Sequence, residues 1–218
     1  MRIVILANGE PPDASEVRAW LRPNDQLICA DGGARAALQL DLRPTIVIGD
    51  FDSLSTSEIG QLEDAGTRLI RHPREKDETD LELALLCAAG QAPNEIVILG
   101  AHGGRTDHML ANIMLLALPQ LNNIDVCIAW RNERMFLLHP NRPHTVMGEA
   151  GDTLSLLPLG GDVPGIETFG LQYALHNEPL RFGPARGVSN VMLGASASVQ
   201  FASGRLLCVH CKVGDNHA

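Results

Sequence analysis

Over roughly the first 130 residues, short runs rich in Ile, Val and Leu alternate with longer stretches of helical periodicity, and this alternation constrains the fold most. Strands are expected at 2–7, 26–30, 45–48, 68–71, 95–99 and 125–129, with helices at 14–21, 33–40, 56–65, 79–89 and 107–118 between them. Such a chain builds a mainly parallel, Rossmann-like sheet covered by helices on both faces, joined by right-handed crossovers. In sheets of this kind, ligands collect at the carboxyl ends of the strands.

The helix at 79–89 is the best signalled. Thr79 and Glu82 have capping-box spacing, the body is Leu-Glu-Leu-Ala-Leu-Leu-Cys-Ala-Ala, and Gly90 can supply a terminating left-handed turn. In the next helix Leu110, Ile113, Met114 and Ala117 recur at helical spacing and read as core, with Pro119 ending the segment. After about residue 130 the texture changes to short β segments at 135–138, 153–157, 171–175, 197–202 and 206–210, punctuated by Gly-Asp, Pro-Gly, Gly-Pro and Ser-Gly turns. The reading is therefore an α/β domain over 1–130 followed by a smaller all-β domain over 131–218, an antiparallel sandwich or roll.

Composition excludes several classes. With 26 acidic against 17 basic residues the formal charge is −9, the wrong sign for a phosphate-backbone partner such as nucleic acid. No run approaches the roughly 20 apolar residues of a membrane span. The opening Met-Arg-Ile-Val-Ile-Leu-Ala is too short an apolar stretch for a signal peptide, so a cytoplasmic location is expected. The five cysteines (Cys29, Cys87, Cys127, Cys208, Cys211) are an odd, scattered set, expected to be reduced thiols. Cys208 and Cys211 have C-x-x-C spacing, but a zinc site wants a second pair of ligands and none is spaced to match.

Four polar corners fall on the same expected rim. The run Ile46-Val-Ile-Gly-Asp-Phe-Asp-Ser53 stops at Asp50 and Asp52; in an extended loop both carboxylates point to one side while Phe51 turns into the core. Such oxygen ligands suit magnesium, which takes one or two carboxylates together with substrate phosphates; a solvated acidic turn is the plainer alternative. Lys76-Asp-Glu-Thr-Asp80 adds Asp80 at a helix start, where acids also stabilise a helix without any ligand. Gly100-Ala-His-Gly-Gly-Arg-Thr-Asp-His108 is a glycine-rich strand-to-helix turn that can aim N–H groups at a phosphate, with Arg105 adding a guanidinium fork. His108 reads either as a proton shuttle or as an ordinary polar residue at a helix start. Asp31-Gly32-Gly33 lets a ligand approach the backbone, or makes only a tight turn. Neither a Walker loop nor a Rossmann glycine fingerprint occurs. Together the corners hold the parts needed to bind a polyphosphate with magnesium and to stabilise displacement at phosphorus.

Asp31-Gly-Gly-Ala, Gly49-Asp-Phe-Asp-Ser, Lys76-Asp-Glu-Thr-Asp and Gly104-Arg-Thr-Asp-His, in this order, resemble the signature blocks of the thiamine pyrophosphokinase family. The β-rich tail with Gly187-Val-Ser-Asn190 resembles that family's C-terminal domain, although Val191 stands where an acidic residue is expected. The resemblance implies transfer of an intact pyrophosphoryl group from ATP to the thiamine hydroxyl, giving thiamine diphosphate and AMP. It implies a nucleotide-binding catalytic domain over 1–130, a thiamine-binding and dimerisation domain over 131–218, and a homodimer. By the same resemblance Asp50, Asp52 and Asp80 hold Mg2+ on the phosphates, Arg105 and Asp107 position the reacting groups, and Asp31, Gly32, Gly33, Lys76, Gly103 and Gly104 line the nucleotide site. Ser189 lies near the thiamine ring. The rival readings are a diphosphokinase for another hydroxymethyl heterocycle such as a pterin, a metal-dependent phosphohydrolase, and a non-catalytic nucleotide sensor.

Overall fold

A computed structural model describes residues 1–214. The chain divides into two compact units, the first Met1–Arg131 and the second from Asn132 onward.

In the first unit the elements run β1 (Arg2–Leu6), α1 (Ala14–Trp20), β2 (Gln26–Ala30), α2 (Gly33–Gln39), β3 (Ile46–Gly49), α3 (Thr56–Asp64), β4 (Arg68–Arg71), α4 (Asp80–Ala89), β5 (Glu95–Leu99), α5 (Thr106–Leu115), a 3-10 turn (Pro119–Leu121) and β6 (Asp125–Trp130). The strands lie in the order β6-β5-β1-β2-β3-β4, all parallel. Alternation of side chains sorts them between two faces. Val4, Leu6, Leu27, Cys29, Val47, Val97 and Leu99 share a core with Val17 of α1, Ala34 and Ala37 of α2 and Leu62 of α3. The alternate residues, among them Ile3, Ile5, Ile28, Ile48, Ile96 and Ile98, are buried on the other face, where α4 packs over β1, β2 and β3 through Leu81, Ala84, Leu85 and Ala88. The strand order reverses direction at β1 and β5, because β2 lies on one side of β1 and β5 on the other. That switch point leaves a crevice at the strands' carboxyl ends.

Close packing at one glycine fixes how α2 leaves that rim. A Cβ on Gly33 would overlap the Leu6 carbonyl oxygen and lie 2.7 Å from its carbon, both main-chain atoms. Alanine is the better helix former by about 1 kcal/mol, but overpacking against backbone costs about 1–3 kcal/mol. Gly33→Ala therefore lowers the urea midpoint of unfolding, at an unchanged slope.

The second unit holds β7 (Glu133–Leu138), β8 (His144–Met147), β9 (Thr153–Pro158), β10 (Val163–Phe169), β11 (His176–Leu180), β12 (Asn190–Val191), β13 (Ser196–Gln200) and β14 (Leu206–Cys211). Two antiparallel layers form, β12-β9-β14-β7 and β11-β10-β13-β8. Leu138, Leu154, Leu156, Leu206 and Cys208 from the first layer and Val146, Val163, Ile166, Leu180 and Val199 from the second share one core. His210, fully buried, bonds Asp152 through Nε2 at 2.8 Å, and Asp152 also accepts the Val213 N–H, which ties the end of the described chain to β9.

Several sequence expectations change here. Segment 171–175 is not a strand but the connection between β10 and β11; its leucines alternate because Leu171 and Leu175 plug the core from a loop. β10 and β11 escape the pattern because Pro164 and Gly165 (φ 64°) sit at a bulge and Pro179 lies on an edge strand. Gly90 ends α4 in a right-handed conformation (φ −60°), and the left-handed residue is Ala92. In α5 no residue is fully buried, and Leu110 and Met114 are 49% and 60% exposed, so that helix is not the core element its periodicity suggests. No helix among the described residues is long and apolar enough to cross a membrane.

Candidate active site

The loops that follow β1 and β5 continue side by side past the sheet. Ala7 N–H donates to the Leu99 carbonyl at 2.8 Å, Gly9 N–H to Gly100 at 2.7 Å, and Glu10 N–H to His102 at 2.6 Å. Glycine is required for this approach, since a Cβ on Gly9 would collide with the carbonyl oxygens of Gly100 and His102. The His102 ring stacks on Trp130 at 4.7 Å, with 2° between the planes, and the Arg131 guanidinium also lies over Trp130. These contacts brace the turn at Gly100, Gly103 and Gly104, all three with positive φ.

Beside the paired loops lies a cavity of about 660 Å³, lined by Asn8, Gly9 and Glu10 after β1, by Gly103, Gly104, Arg105, His108 and Asn112 after β5, and by Lys76, Thr79 and Asp80 at the start of α4. Sequence reasoning missed the loop Ala7–Glu10, although the carboxyl-end rule that located the other corners applies equally to β1. Arg105 is the N-cap of α5 and makes no side-chain capping bond. Its guanidinium forks onto Asp107 instead, at 3.1 and 2.5 Å, and this pairing holds the Asp107 carboxyl below the usual carboxylate range. Arg105 and His108 line the cavity; Asp107 does not.

The acidic corners meet on the neighbouring strands. Asp31, Asp50 and Asp52 each place a carboxylate oxygen within 4.8 Å of the others. Parallel pairing brings this about: Ala30 is in register with Ile48, so the residues after β2 and after β3 reach the rim together. Phe51 is left-handed (φ 65°) rather than extended, buried at 4% exposure, with the Arg71 guanidinium over its ring at 4.7 Å. A bulky residue there costs about 1–3 kcal/mol, and the turn between the two acids is held by Asp52 N–H donating to Asp50 Oδ1 at 3.0 Å.

Asp80, grouped with Asp50 and Asp52 by the resemblance, lies beside Gly49. A Cβ on that glycine would lie 2.9 Å from the Asp31 Cβ and 3.2 Å from Asp80 Oδ1, so Gly49 keeps the gap between those acids open. Lys76 Nζ lies 3.1 Å from Asp80 Oδ1. Asp31 is 3% exposed, and its Oδ1 has no hydrogen-bond partner. Burial pushes its carboxyl up; bonds from Ser53 and Gly32 oppose this, and the charges of Asp80 and Asp50 add to it. A buried, unpartnered carboxylate oxygen among three further acids fits a hard divalent cation. The resemblance implies only a nucleotide-lining role for Asp31; which acids converge depends on strand register, which no motif records.

Residues 17–128 match the family model for the thiamin pyrophosphokinase catalytic domain, and residues 139–206 match the model for its vitamin B1 binding domain. The chain belongs to the thiamine pyrophosphokinase family. It is 29% identical to the thiamine pyrophosphokinase of Bacillus subtilis, over 95% of this chain and 97% of that one. The crystal structure of thiamine pyrophosphokinase from B. subtilis superposes with a TM-score of 0.86 at 26% identity, covering 97% of this chain and 99% of the other. The family protein from Enterococcus faecalis gives 0.84 at 27% identity, covering 98% and 100%. The chain is thus a transferase, a thiamine diphosphokinase serving thiamine diphosphate biosynthesis, and the pterin and sensor readings are not favoured.

Proposed function

We propose that the first unit is the Rossmann-like catalytic domain that binds ATP, that the second is a β-sandwich domain that takes thiamine, and that the enzyme works as a cytoplasmic homodimer. The observation that carries this reading is the convergence of Asp31, Asp50 and Asp52 beside a cavity lined by Arg105, Lys76 and glycine backbone. Asp50, Asp52 and Asp80, together with Asp31, hold magnesium. When bound, the ion neutralises phosphate charge and favours attack at phosphorus. The turn at Gly103 and Gly104 and the amino end of α5 offer N–H groups to phosphate oxygens, and Asp31, Gly32 and Gly33 line the nucleotide site.

In the reaction the thiamine hydroxyl oxygen bonds to the β-phosphorus as the bond from that phosphorus to the α,β-bridging oxygen breaks. AMP departs with the electron pair of that bond. A carboxylate of the acidic cluster takes the hydroxyl proton, while Arg105 and Lys76 balance charge on the phosphates. Asp107 acts through Arg105 by fixing its fork. Arg105→Ala therefore raises KM for ATP about tenfold or more, with KM for thiamine nearly unchanged, in steady-state assays varying each substrate separately.

The acceptor site is a second cavity, of about 390 Å³, lined by Leu156, Tyr173, Leu175, Arg186, Gly187, Val188 and Asn190. It lies within the segment that matches the vitamin B1 binding domain. Ser189, between two lining residues, is exposed and left-handed (φ 58°), with its N–H donated to Ser155 Oγ at 3.0 Å, which supports a place at the edge of the ring site. Incubation with Mg-ATP, with and without thiamine, tests the function. AMP formation that requires thiamine supports it, and thiamine-independent phosphate release would instead mark a phosphohydrolase.

A further inference from the structure

Two consecutive residues at the end of β6 close a ring of contacts beside the glycine turn. Ile128 is in register with Ile98 of β5, so Trp130 reaches the loop that follows β5, where its ring stacks on His102. Arg131, the last residue of the first unit, holds its guanidinium 4.5 Å from the Trp130 ring centroid and 3.6 Å from Glu10 Oε1. Glu10 N–H in turn donates to the His102 carbonyl. These four residues therefore tie together the loops that follow β1, β5 and β6. Gly103 rests against them, since a Cβ on that glycine would lie 2.7 Å from the Glu10 Cβ.

Arg131 is left-handed (φ 52°), a conformation that glycine reaches without steric cost and a long side chain does not. Its N–H donates to Glu16 Oε1 at 2.8 Å, a main-chain bond that glycine would keep. What arginine adds at this position is its guanidinium. Glu10 lines the cavity with Gly103, Gly104 and Arg105, where an uncompensated carboxylate would repel phosphate. Gly100, Gly103 and Gly104 also leave the turn many conformations unless neighbours hold it. We propose that Trp130 and Arg131 are positioning residues for the phosphates of ATP: Trp130 holds His102, Arg131 holds Glu10 and offsets its charge, and the glycine turn between the two keeps its N–H groups aimed into the cavity. Pre-organisation of this kind lowers the ordering cost of binding. Neither Trp130 nor Arg131 lines the cavity, so each acts through its neighbour. This rests on the reading of the cavity as the nucleotide site.

Steady-state kinetics and thermal melts of the full chain test this. In Arg131→Gly, KM for ATP should rise about three- to fivefold, with kcat and KM for thiamine within about twofold. Its melting midpoint should stay close to that of the unsubstituted chain, because relief of the left-handed conformation offsets the lost surface contacts. Trp130→Ala should raise KM for ATP about tenfold, and Trp130→Phe, which keeps an aromatic face for His102, should restore most of the loss. An unchanged KM for ATP in both Arg131→Gly and Trp130→Ala would overturn the inference. So would a loss spread evenly over kcat and both KM values, which marks a merely structural pair. Arg105→Ala is the control: if it too leaves KM for ATP unmoved, the reading of the cavity as the nucleotide site fails instead.

Discussion

Asp50→Asn lowers kcat for thiamine-dependent AMP formation by about three orders of magnitude or more and leaves the fold intact. The carboxylate stands at the end of β3 within 4.8 Å of the oxygens of Asp31 and Asp52, and the substitution removes one charge from that set while keeping its shape. The amide oxygen can still accept the Asp52 N–H, so the turn around the left-handed Phe51 survives. Circular dichroism and the thermal midpoint therefore stay near those of the unsubstituted chain, while turnover is lost. Asp52→Asn behaves alike, with one difference: Arg74, 3.4 Å from Asp52 and highly exposed, loses only a solvent-screened partner. A folded Asp50→Asn protein with undiminished AMP release would remove the metal-holding role.

Asp31→Asn separates stability from activity in opposite directions. The Asp31 carboxyl is raised above its ordinary value of 3.8, chiefly by burial and further by Asp80 and Asp50. A raised acid holds its proton more tightly in the folded state. Its stabilising contribution is thus complete below the unfolded pKa and is lost as pH rises through the folded one. At neutral pH the ionised Asp31 is therefore a cost that asparagine removes, and asparagine also tolerates the left-handed conformation at this position (φ 41°). Without magnesium the variant should melt a few degrees higher, by the usual scaling for a chain of this size. Its advantage should be larger at pH 8 than at pH 5. Added magnesium should raise the midpoint of the unsubstituted chain more than that of the variant, and the variant should turn over slowly if at all. Scanning calorimetry across pH, with and without magnesium, reads all of these; a variant less stable at pH 8 than its parent would contradict the assignment.

The motifs and the α/β texture were legible because they are local. The corners at Asp31 and Asp50 each end an apolar run, and α4 carries its own start signal in Thr79, whose Oγ1 accepts the Glu82 N–H at 3.2 Å. What was not legible depends on partners distant in sequence. Asp31 joins Asp50 and Asp52 only through the register of β2 on β3, and no spacing in the chain records that register. Likewise 171–175 has the alternation of a strand, but Leu171 and Leu175 plug from a loop a core shared with residues of β13 and β14, about 20 to 40 residues away. In α5 the apolar spacing is genuine, yet Leu110 and Met114 remain exposed, since periodicity defines a face without saying what covers it. Phe51 misled in another way: apolar-polar alternation suggested an extended loop, whereas a left-handed turn under Arg71 aims the flanking acids.

In the proposed reaction a β,γ-pyrophosphoryl group moves intact onto thiamine at the carboxylate cluster. A single-turnover incubation of the enzyme with magnesium, thiamine and ATP labelled at the γ-phosphorus decides whether it does. The label should appear in thiamine diphosphate together with an equal amount of AMP, and Asp50→Asn should show neither product. Label recovered in inorganic phosphate, or ADP formed together with thiamine monophosphate, would contradict it.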